Sequence, residues 1–205
     1  MANRKNHCHR TRLHGGNNQK IPRKTQGIHR QKKNSVATTK EETTENPRAK
    51  FIETITPIAK KVGESFNIPW QAMVLQAALE TGFDFNKRTI FGIKASKSRP
   101  HFVSSTHEYR KGKKVKENAR FLKIEGATLE EKITKSCIAY CKLMLRAKQY
   151  YGRGVEMYQK EGATPREFLE EISVYYTTFP TYAKDLIRIA NYRKIDIDTP
   201  NEGLK

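Results

Sequence analysis

Glu80 is the carboxylate whose sequence position is most unusual. It directly follows Gln76–Leu79, at the end of the most apolar segment of the chain. Burial disfavours the charged form of a carboxyl group and therefore raises its pKa. A glutamic acid with a raised pKa can donate a proton to a glycosidic oxygen near neutral pH. The alternative is that Glu80 only solvates a helix end.

A glycosidase needs a second group that activates water or stabilises the positive charge of the transition state. Glu108, in the stretch Thr106–Tyr109, is the strongest candidate because a small β-hairpin beside a helix end would form a cleft wall. Asp84 is nearer to Glu80 in the sequence, but we expect it to cap local backbone. Gln76 lies one helical turn before Glu80, where it would position Glu80 or a sugar group. The proposed chemistry requires no metal and no cofactor.

Two helices are predicted to place Glu80. Asn46 and Pro47 form an N-cap signature, and apolar residues then recur at helical spacing as far as Phe66, with Pro57 as a possible kink. Pro69 opens a second helix, which Gly82 ends. This second helix is apolar nearly all round, so we expect it to be central in the fold.

The remaining pattern predicts a mainly α domain with one small β lobe. Residues 101–125 are typical of a polar β-hairpin with its turn at Arg110–Lys113. Thr128 begins a long helix that should reach about Tyr150. Gly152 and Gly154 should interrupt it, and a short helix is predicted at Val155–Lys160. A cap signature at Thr164–Glu167 precedes helical spacing as far as Tyr176, and the last helix should run from about Tyr182 to Tyr192.

Sequence blocks in a fixed order support a more specific interpretation. They are Phe51–Glu53 with Ile58-Ala59, Gln76–Gly82, Ile90–Lys94, Thr106–Gly112 and Tyr176–Ala183. Together these blocks resemble glycoside hydrolase family 73, the N-acetylglucosaminidases of peptidoglycan that include flagellar rod-assembly and autolysin enzymes. The resemblance covers about Phe51 to Ile195, some three-quarters of the chain.

The resemblance implies a lysozyme-like helical fold with a small β-hairpin lobe and a general acid at Glu80. It places Glu108 at the family's acidic hairpin position, where it would activate water unless an acetamido group of the substrate assists instead. It implies that Phe91, Gly92, Tyr176 and Tyr182 line the cleft and that Phe83 retains an aromatic platform. Gln76 and Tyr109, the latter as a sugar-stacking face, complete the residues expected to bind substrate. Two positions depart from the family pattern, because Phe83 stands where a tryptophan is usual and Phe179 where an aspartate is usual.

The positive charge of the chain is concentrated near its start. The net charge is +19, and residues 1–50 hold 13 basic side chains against three acidic ones. This stretch has too few apolar residues to offset the entropy of ordering, so we predict a disordered basic arm over residues 1–46 that contacts polyanions such as nucleic acid or anionic wall polymers. A domain at 47–196 and a tail at 197–205 complete the predicted organisation.

Other features exclude some classes of protein. No window approaches the roughly 18 consecutive apolar residues of a membrane-spanning helix, so no integral membrane segment is expected. The cysteines, Cys8, Cys137 and Cys141, are odd in number, and the last two should be small buried hydrophobes of one helix face. The cluster His7-Cys8-His9 with His14 has no packing pattern to fix a metal site.

Three functions fit these observations. The favoured one is hydrolysis of the β-1,4 bond after N-acetylglucosamine in bacterial cell-wall glycan. A lytic transglycosylase or muramidase acting on the same polymer is the second, and a non-catalytic polyanion-binding structural protein is the third. The basic residues Arg4 and Lys5 are not followed by a secretory apolar segment. We therefore expect a phage-type lysin or another wall enzyme released by lysis, carried in a virion or exported by a different route.

Overall fold

The computed structural model describes residues 46–201, which form six helices and one antiparallel hairpin. The helices are α1 (Pro47–Phe66), α2 (Trp70–Thr81), α3 (Leu129–Arg146), α4 (Lys148–Lys160), α5 (Pro165–Tyr176) and α6 (Tyr182–Arg193). The strands, β1 (His101–Arg110) and β2 (Lys113–Leu122), lie between α2 and α3 in the sequence. The predicted mainly α architecture with a small hairpin lobe is confirmed. The basic arm predicted for residues 1–46 lies, apart from Asn46, outside the described residues.

Helix α1 begins at the predicted cap. The side chain of Asn46 accepts a hydrogen bond from the Arg48 N–H over 3.0 Å, and Pro47 occupies the first helical turn, where a missing N–H costs nothing. The helix continues through Pro57 to Phe66. Its buried stripe packs on α2 and α3 and consists of Phe51, Ile55, Ala59, Val62 and Gly63.

Helix α2 is the central element, as its nearly uniform apolar character predicted. Every residue from Ala72 to Ala78 is buried, and α2 packs against α1, α5 and α6. Gly82 ends the helix in the left-handed conformation at φ 64°, and its N–H bonds to the Ala78 carbonyl. Phe83 is left-handed as well, at φ 66°, which turns the chain sharply away from the helix end. Glu80 therefore lies in the last turn of a helix that the core holds on all sides.

The hairpin is fixed by its turn and by its base. Lys111 and Gly112 both have positive φ, at 51° and 74°, as a two-residue type I′ turn requires. At the base, the Leu122 N–H donates to the Ile93 carbonyl over 2.8 Å, and the Ala95 N–H donates to the Arg120 carbonyl over 2.9 Å. The segment carrying Lys94 is therefore attached to β2.

The prediction for residues 147–160 was wrong. The long helix ends at Arg146, and α4 then runs through both Gly152 and Gly154, the residues expected to interrupt it. A Cβ on Gly154 would lie 2.8 Å from Cγ2 of Ile172, so the glycine lets α4 approach α5 closely. Sequence alone does not distinguish a glycine that permits close packing from one that ends a helix.

Packing also continues beyond the predicted domain boundary at residue 196. Ile197 is buried at 1% exposure, and its carbonyl accepts a hydrogen bond from the Arg166 N–H over 2.8 Å. Arg166 also forms an ion pair with Asp198. The first residues of the predicted C-terminal tail are thus attached to α5.

Two further expectations concern cysteine and the membrane. Cys137 and Cys141 are free and buried on one face of α3, as predicted, and burial raises the pKa of each thiol to about 12. Cys8 lies outside the described residues, as do His7, His9 and His14. Within residues 46–201, none of the helices has the length and apolar character needed to cross a bilayer.

Candidate active site

A cleft of about 660 Å³ brings both predicted carboxylates together. Glu80 reaches it from the end of α2, and Glu108 reaches it from β1. Three other segments also line the cleft. They contribute Phe91, Gly92 and Lys94 before the hairpin, Tyr176 at the end of α5 with Thr177 and Phe179 after it, and Tyr182 with Asp185 on α6. The helices thus contribute Glu80 and Asp185 to the cleft, and the hairpin contributes Glu108.

Glu80 is held by a tyrosine. The hydroxyl of Tyr182 donates a hydrogen bond to Oε1 of Glu80 over 2.7 Å, and Tyr182 is only 7% exposed. The ring of Tyr182 stacks against that of Tyr176, with centroids 5.7 Å apart and planes inclined by 21°. A buried, stacked ring has little freedom, so this donor is fixed in place before any substrate arrives.

A buried amide orients that tyrosine. Gln76 is fully buried, and its Nε2 donates to the Tyr182 hydroxyl oxygen over 3.2 Å. Its Oε1 accepts a hydrogen bond from the hydroxyl of Tyr140, which is itself fully buried on α3. Because Gln76 donates to Tyr182, the Tyr182 proton is directed to Glu80. The predicted link between Gln76 and Glu80 therefore runs through a tyrosine, and Gln76 does not reach the cleft.

The carboxyl group of Glu80 is in a desolvating environment. The residue as a whole is exposed toward the cleft, but protein surrounds its carboxyl group on the other sides. This burial raises the pKa of Glu80 above its ordinary value, and the hydrogen bond from Tyr182 offsets part of the rise. A proton is therefore retained on Glu80 to a higher pH than on a solvated glutamate.

Gly92 forms the floor beneath the second oxygen of Glu80. It has φ 61°, a conformation that favours glycine, and its N–H donates to Oγ1 of Thr89 over 3.1 Å. A Cβ at this position would lie 3.4 Å from Oε2 of Glu80. The absence of a side chain leaves Oε2 facing open cleft.

Phe91 and Tyr176 complete this floor. Phe91 is 1% exposed and its ring lies 4.9 Å from that of Tyr140, centroid to centroid. The Tyr176 hydroxyl donates to the Phe91 carbonyl oxygen. The block before the hairpin is thereby tied to the end of α5, and both residues line the cleft as the resemblance implies.

Glu108 has the opposite environment. Its Oε1 lies 2.7 Å from Nζ of Lys94, and its Oε2 accepts a hydrogen bond from Oγ1 of Thr178 over 2.9 Å. The hydrogen bond from Lys94 is the largest cause that lowers the pKa of Glu108. Burial opposes it, and the hydrogen bond from Thr178 with the charges of Lys94 and Arg110 lowers the pKa further. The side chain is 17% exposed. The pKa of Glu108 is thus lowered at the same cleft at which the pKa of Glu80 is raised.

Sequence reasoning gave no role to Lys94, Thr178 or Tyr140. Lys94 and Thr178 lie within the blocks that carry the family resemblance, but neither spacing nor residue type indicated a contact with Glu108. Tyr140 was placed only on the helical stripe of α3. A buried hydroxyl opposite a buried amide leaves no periodic signal, because both residues fit an apolar pattern.

Besides Gln76, two predicted substrate-binding residues lie outside the cleft lining, Phe83 and Tyr109. Phe83 packs edge-on against Phe51 with centroids 5.8 Å apart, and the guanidinium groups of Arg48 and Arg193 lie 5.4 and 5.3 Å from its ring centroid. Its positive φ turns it to this face, so it does not form a platform at the cleft. Tyr109 contacts Phe179, at 5.0 Å between ring centroids, and its N–H donates to Thr178.

Asp84 has the local role expected of it. Its Oδ1 accepts a hydrogen bond from the Asn86 N–H over 2.9 Å, which stabilises the turn after α2. Within residues 46–201, no group of three or more His, Cys, Asp or Glu side chains has the arrangement of a metal site.

Sequence comparison places this arrangement in a known family. The glucosaminidase family, described as mannosyl-glycoprotein endo-beta-N-acetylglucosaminidase, matches residues 56–194. The chain belongs to the glucosaminidase family. The matched range includes Glu80, Glu108 and the hydrogen-bonded side chains of Tyr140, Gln76 and Tyr182. The resemblance inferred from the sequence blocks is thereby confirmed, and the protein is a glycoside hydrolase by family.

One curated relative and two solved structures illustrate the similarity. The glucosaminidase is 31% identical over 153 residues to the peptidoglycan hydrolase FlgJ of Pseudomonas aeruginosa, and the match spans 68% of this chain and 35% of that protein. The chain therefore spans about a third of this relative. The relative's remaining two thirds have no counterpart in the match.

The solved structures share the fold. A peptidoglycan hydrolase mutant from Sphingomonas sp. A1 superposes with a TM-score of 0.56 at 24% identity, covering 70% of this chain and 92% of the other. The catalytic domain of the autolysin Auto from Listeria monocytogenes superposes with a TM-score of 0.57 at 22% identity, covering 74% and 87%. The lysozyme-like glucosaminidase fold predicted for this chain is thus confirmed.

Proposed function

We propose that this glucosaminidase hydrolyses the β-1,4 glycosidic bond after N-acetylglucosamine in the glycan strands of bacterial peptidoglycan. The observation that supports it most is the opposite shift of two carboxyl groups at one cleft. Burial raises the pKa of Glu80, and Lys94 with Thr178 lowers that of Glu108. When the environments of two carboxyl groups push their pKa values apart, the group with the higher pKa suits the general acid and the group with the lower pKa suits the base.

Glu80 is proposed as the general acid. Tyr182 donates to Oε1, so the acidic proton belongs on Oε2, the oxygen above Gly92. From there it passes to the glycosidic oxygen as the bond to the anomeric carbon breaks. The Tyr182 hydrogen bond then stabilises the carboxylate that forms, so it strengthens as the reaction proceeds.

Glu108 is proposed as the group that activates water. As a carboxylate it accepts a proton from the water that attacks the anomeric carbon, which gives inversion of configuration. Lys94 and Thr178 already use both of its oxygens, so this role requires a free lone pair on one of them. Assistance by the acetamido group of the sugar would make Glu108 a stabilising charge instead of a base.

The floor residues are proposed to bind the sugar. Phe91, Gly92 and Tyr176 line the cleft next to Glu80, and Gly92 leaves room for a ring above Oε2. The similarity to relatives supports peptidoglycan as the polymer, since FlgJ of P. aeruginosa and the Sphingomonas protein are both called peptidoglycan hydrolases. Action at the bacterial cell wall follows from that substrate.

Product analysis tests the proposed linkage. Purified sacculi are digested with the full chain, and the products are reduced and identified by mass spectrometry. Reduced N-acetylglucosamine at the new ends is the expected result. Ends carrying N-acetylmuramic acid would identify a muramidase, and anhydromuramic ends would identify a lytic transglycosylase. Either of these results would contradict the proposal.

The basic arm at residues 1–46 is proposed to contact a polyanion, such as an anionic wall polymer. Its excess of basic side chains supports binding that weakens with salt. Release by lysis or carriage in a virion is the proposed route to the wall. A co-sedimentation assay with sacculi, run with the full chain and with a chain lacking residues 1–42, should show greater salt-sensitive binding for the full chain. Equal binding would refute the arm's role.

A further inference from the structure

A second groove lies at the base of the hairpin, outside the cleft that holds Glu80. Its volume is about 440 Å³. Its floor is apolar and combines the pre-hairpin segment, the end of β2 and one face of α3, through Ile93, Leu122, Ile138, Ala139 and Leu143. We call it the hairpin-base groove. The proposed reaction uses none of these floor residues.

Basic side chains surround this floor. The lining includes Lys94, Arg99, Lys123, Lys135, Lys142 and Arg146, against a single acidic residue, Glu125. Three of these cations already have carboxylate partners: Lys94 with Glu108, Lys123 with Glu125 and Lys135 with Glu131. Among the residues that the structure describes, the other three, Arg99, Lys142 and Arg146, have no ion-pair partner. The groove therefore offers three free cations beside an apolar surface.

The groove adjoins the cleft. Lys94 lines both of them, and Phe121 of the cleft is followed directly by Leu122 of the groove. The isolated bridge between Lys94 and Phe121 holds these two walls together. A branch of a polymer bound in the cleft could therefore extend past Lys94 into the hairpin-base groove.

We propose that the hairpin-base groove binds the stem peptide carried by the glycan strand in the cleft. A stem peptide alternates alanine methyl groups with free carboxylates. The methyl groups match the apolar floor, and the carboxylates match Arg99, Lys142 and Arg146, since a guanidinium can bind a carboxylate through two parallel hydrogen bonds. The inference rests on the proposed function, because it takes the glycan strand as the substrate.

The composition of the groove favours a peptide over a nucleic acid. Within the described residues its lining has no aromatic side chain on which a base would stack. Its volume is about 440 Å³, and its cations surround an apolar floor. A short peptide that carries both methyl groups and carboxylates fits this arrangement.

Kinetics on two forms of one polymer test the proposal. The full chain is compared on peptide-bearing glycan strands and on the same strands stripped of peptide by an amidase. The variants are Lys142→Glu and Arg146→Glu, with Lys61→Glu as the control, since Lys61 is an exposed helical lysine away from the groove. Each groove variant should raise KM about fivefold on peptide-bearing strands, leave kcat unchanged and leave both constants unchanged on stripped strands.

Other results would overturn the proposal. An equal rise in KM on stripped strands would show that the groove contacts glycan, and an equal rise with Lys61→Glu would show an effect of overall charge. If wild-type protein cuts neither polymer, the proposed function fails, and the groove is judged by an NMR titration with free stem peptide. Shifts of the Ile93 and Leu143 signals that Lys142→Glu abolishes support the groove's role. The absence of such shifts, or shifts produced by linear polyphosphate alone, would refute it.

Discussion

The hydroxyl of Tyr182 lies 2.7 Å from Oε1 of Glu80, and it is the donor in that hydrogen bond. Two other buried residues set the direction of this hydrogen bond, because Gln76 donates to the Tyr182 oxygen and accepts from Tyr140. One oxygen of the partly desolvated Glu80 carboxyl group thus already accepts a hydrogen bond from a fixed donor. Its other oxygen is left for the substrate.

Tyr182→Phe should lower kcat by about tenfold to a hundredfold, because a hydrogen bond to a forming carboxylate contributes roughly 1.5–3 kcal/mol. It should also change the pH profile. Tyr182 lowers the pKa of Glu80, so its loss raises that pKa, and the alkaline limb of kcat moves to higher pH. Measured pH profiles check this. Tyr192→Phe, at a tyrosine that is 72% exposed, is the control and should leave the profile unchanged.

Gln76→Leu should reduce the free energy of unfolding by about 1–3 kcal/mol. The substitution leaves the buried hydroxyls of Tyr140 and Tyr182 without their amide partner, and an unsatisfied buried polar group costs about that much. Urea denaturation measures the change. In the double variant with Tyr140→Phe the two losses should be less than additive, and simple additivity would argue against a shared network.

Lys94→Met should move the acid limb of the pH profile to higher pH. Glu108 must be ionised to act as a base, so activity is lost as the pH falls through its pKa. The hydrogen bond from Lys94 is the largest cause of that lowered pKa, and removing it raises the pKa. Lys160→Met, which removes an exposed lysine paired with Glu156, should leave the limb in place. An unchanged limb in Lys94→Met would remove Glu108 from the rate-limiting chemistry.

Gly154→Ala and Gly152→Ala should have opposite effects on stability. A Cβ at residue 154 would lie 2.8 Å from the Ile172 side chain, so overpacking should destabilise the fold by about 1–3 kcal/mol. At residue 152 the nearest atom is Cβ of Lys148 at 3.4 Å, and alanine should stabilise the helix by up to about 1 kcal/mol. Thermal unfolding of both variants checks the pair. A stabilised Gly154→Ala would contradict the close packing of α4 on α5.

Much of the fold could be predicted from local signals. The cap at Asn46, the all-round apolar α2 and the turn at Lys111-Gly112 each leave a pattern that nearby residues determine. The break between α3 and α4 at Ala147 leaves no such local pattern, because its position depends on how α4 packs against α5. Gly154 is needed for that contact, and a contact between distant helices has no period in the sequence.

Part of the candidate site could likewise be predicted from the sequence, and part could not. The ordered blocks predicted Glu80, Glu108, Tyr176 and Tyr182 as site residues, and all four line the cleft. The partners of Glu108 could not be predicted, since Lys94 and Thr178 meet it only once the hairpin base and the end of α5 come together. Phe83 was assigned to the cleft from its place after Gly82, but the chain's left-handed turn there directs it to another face.

The central claim is that Glu80 donates the proton that breaks the glycosidic bond. The direct measurement compares Glu80→Gln with wild type and with Glu53→Gln, a control at an exposed glutamate of α1, in release of reducing ends from purified sacculi. We predict that Glu80→Gln releases reducing ends about a hundredfold or more slowly than wild type. Its circular dichroism and unfolding transition should remain those of a folded protein. Wild-type rates in a folded Glu80→Gln variant would contradict it.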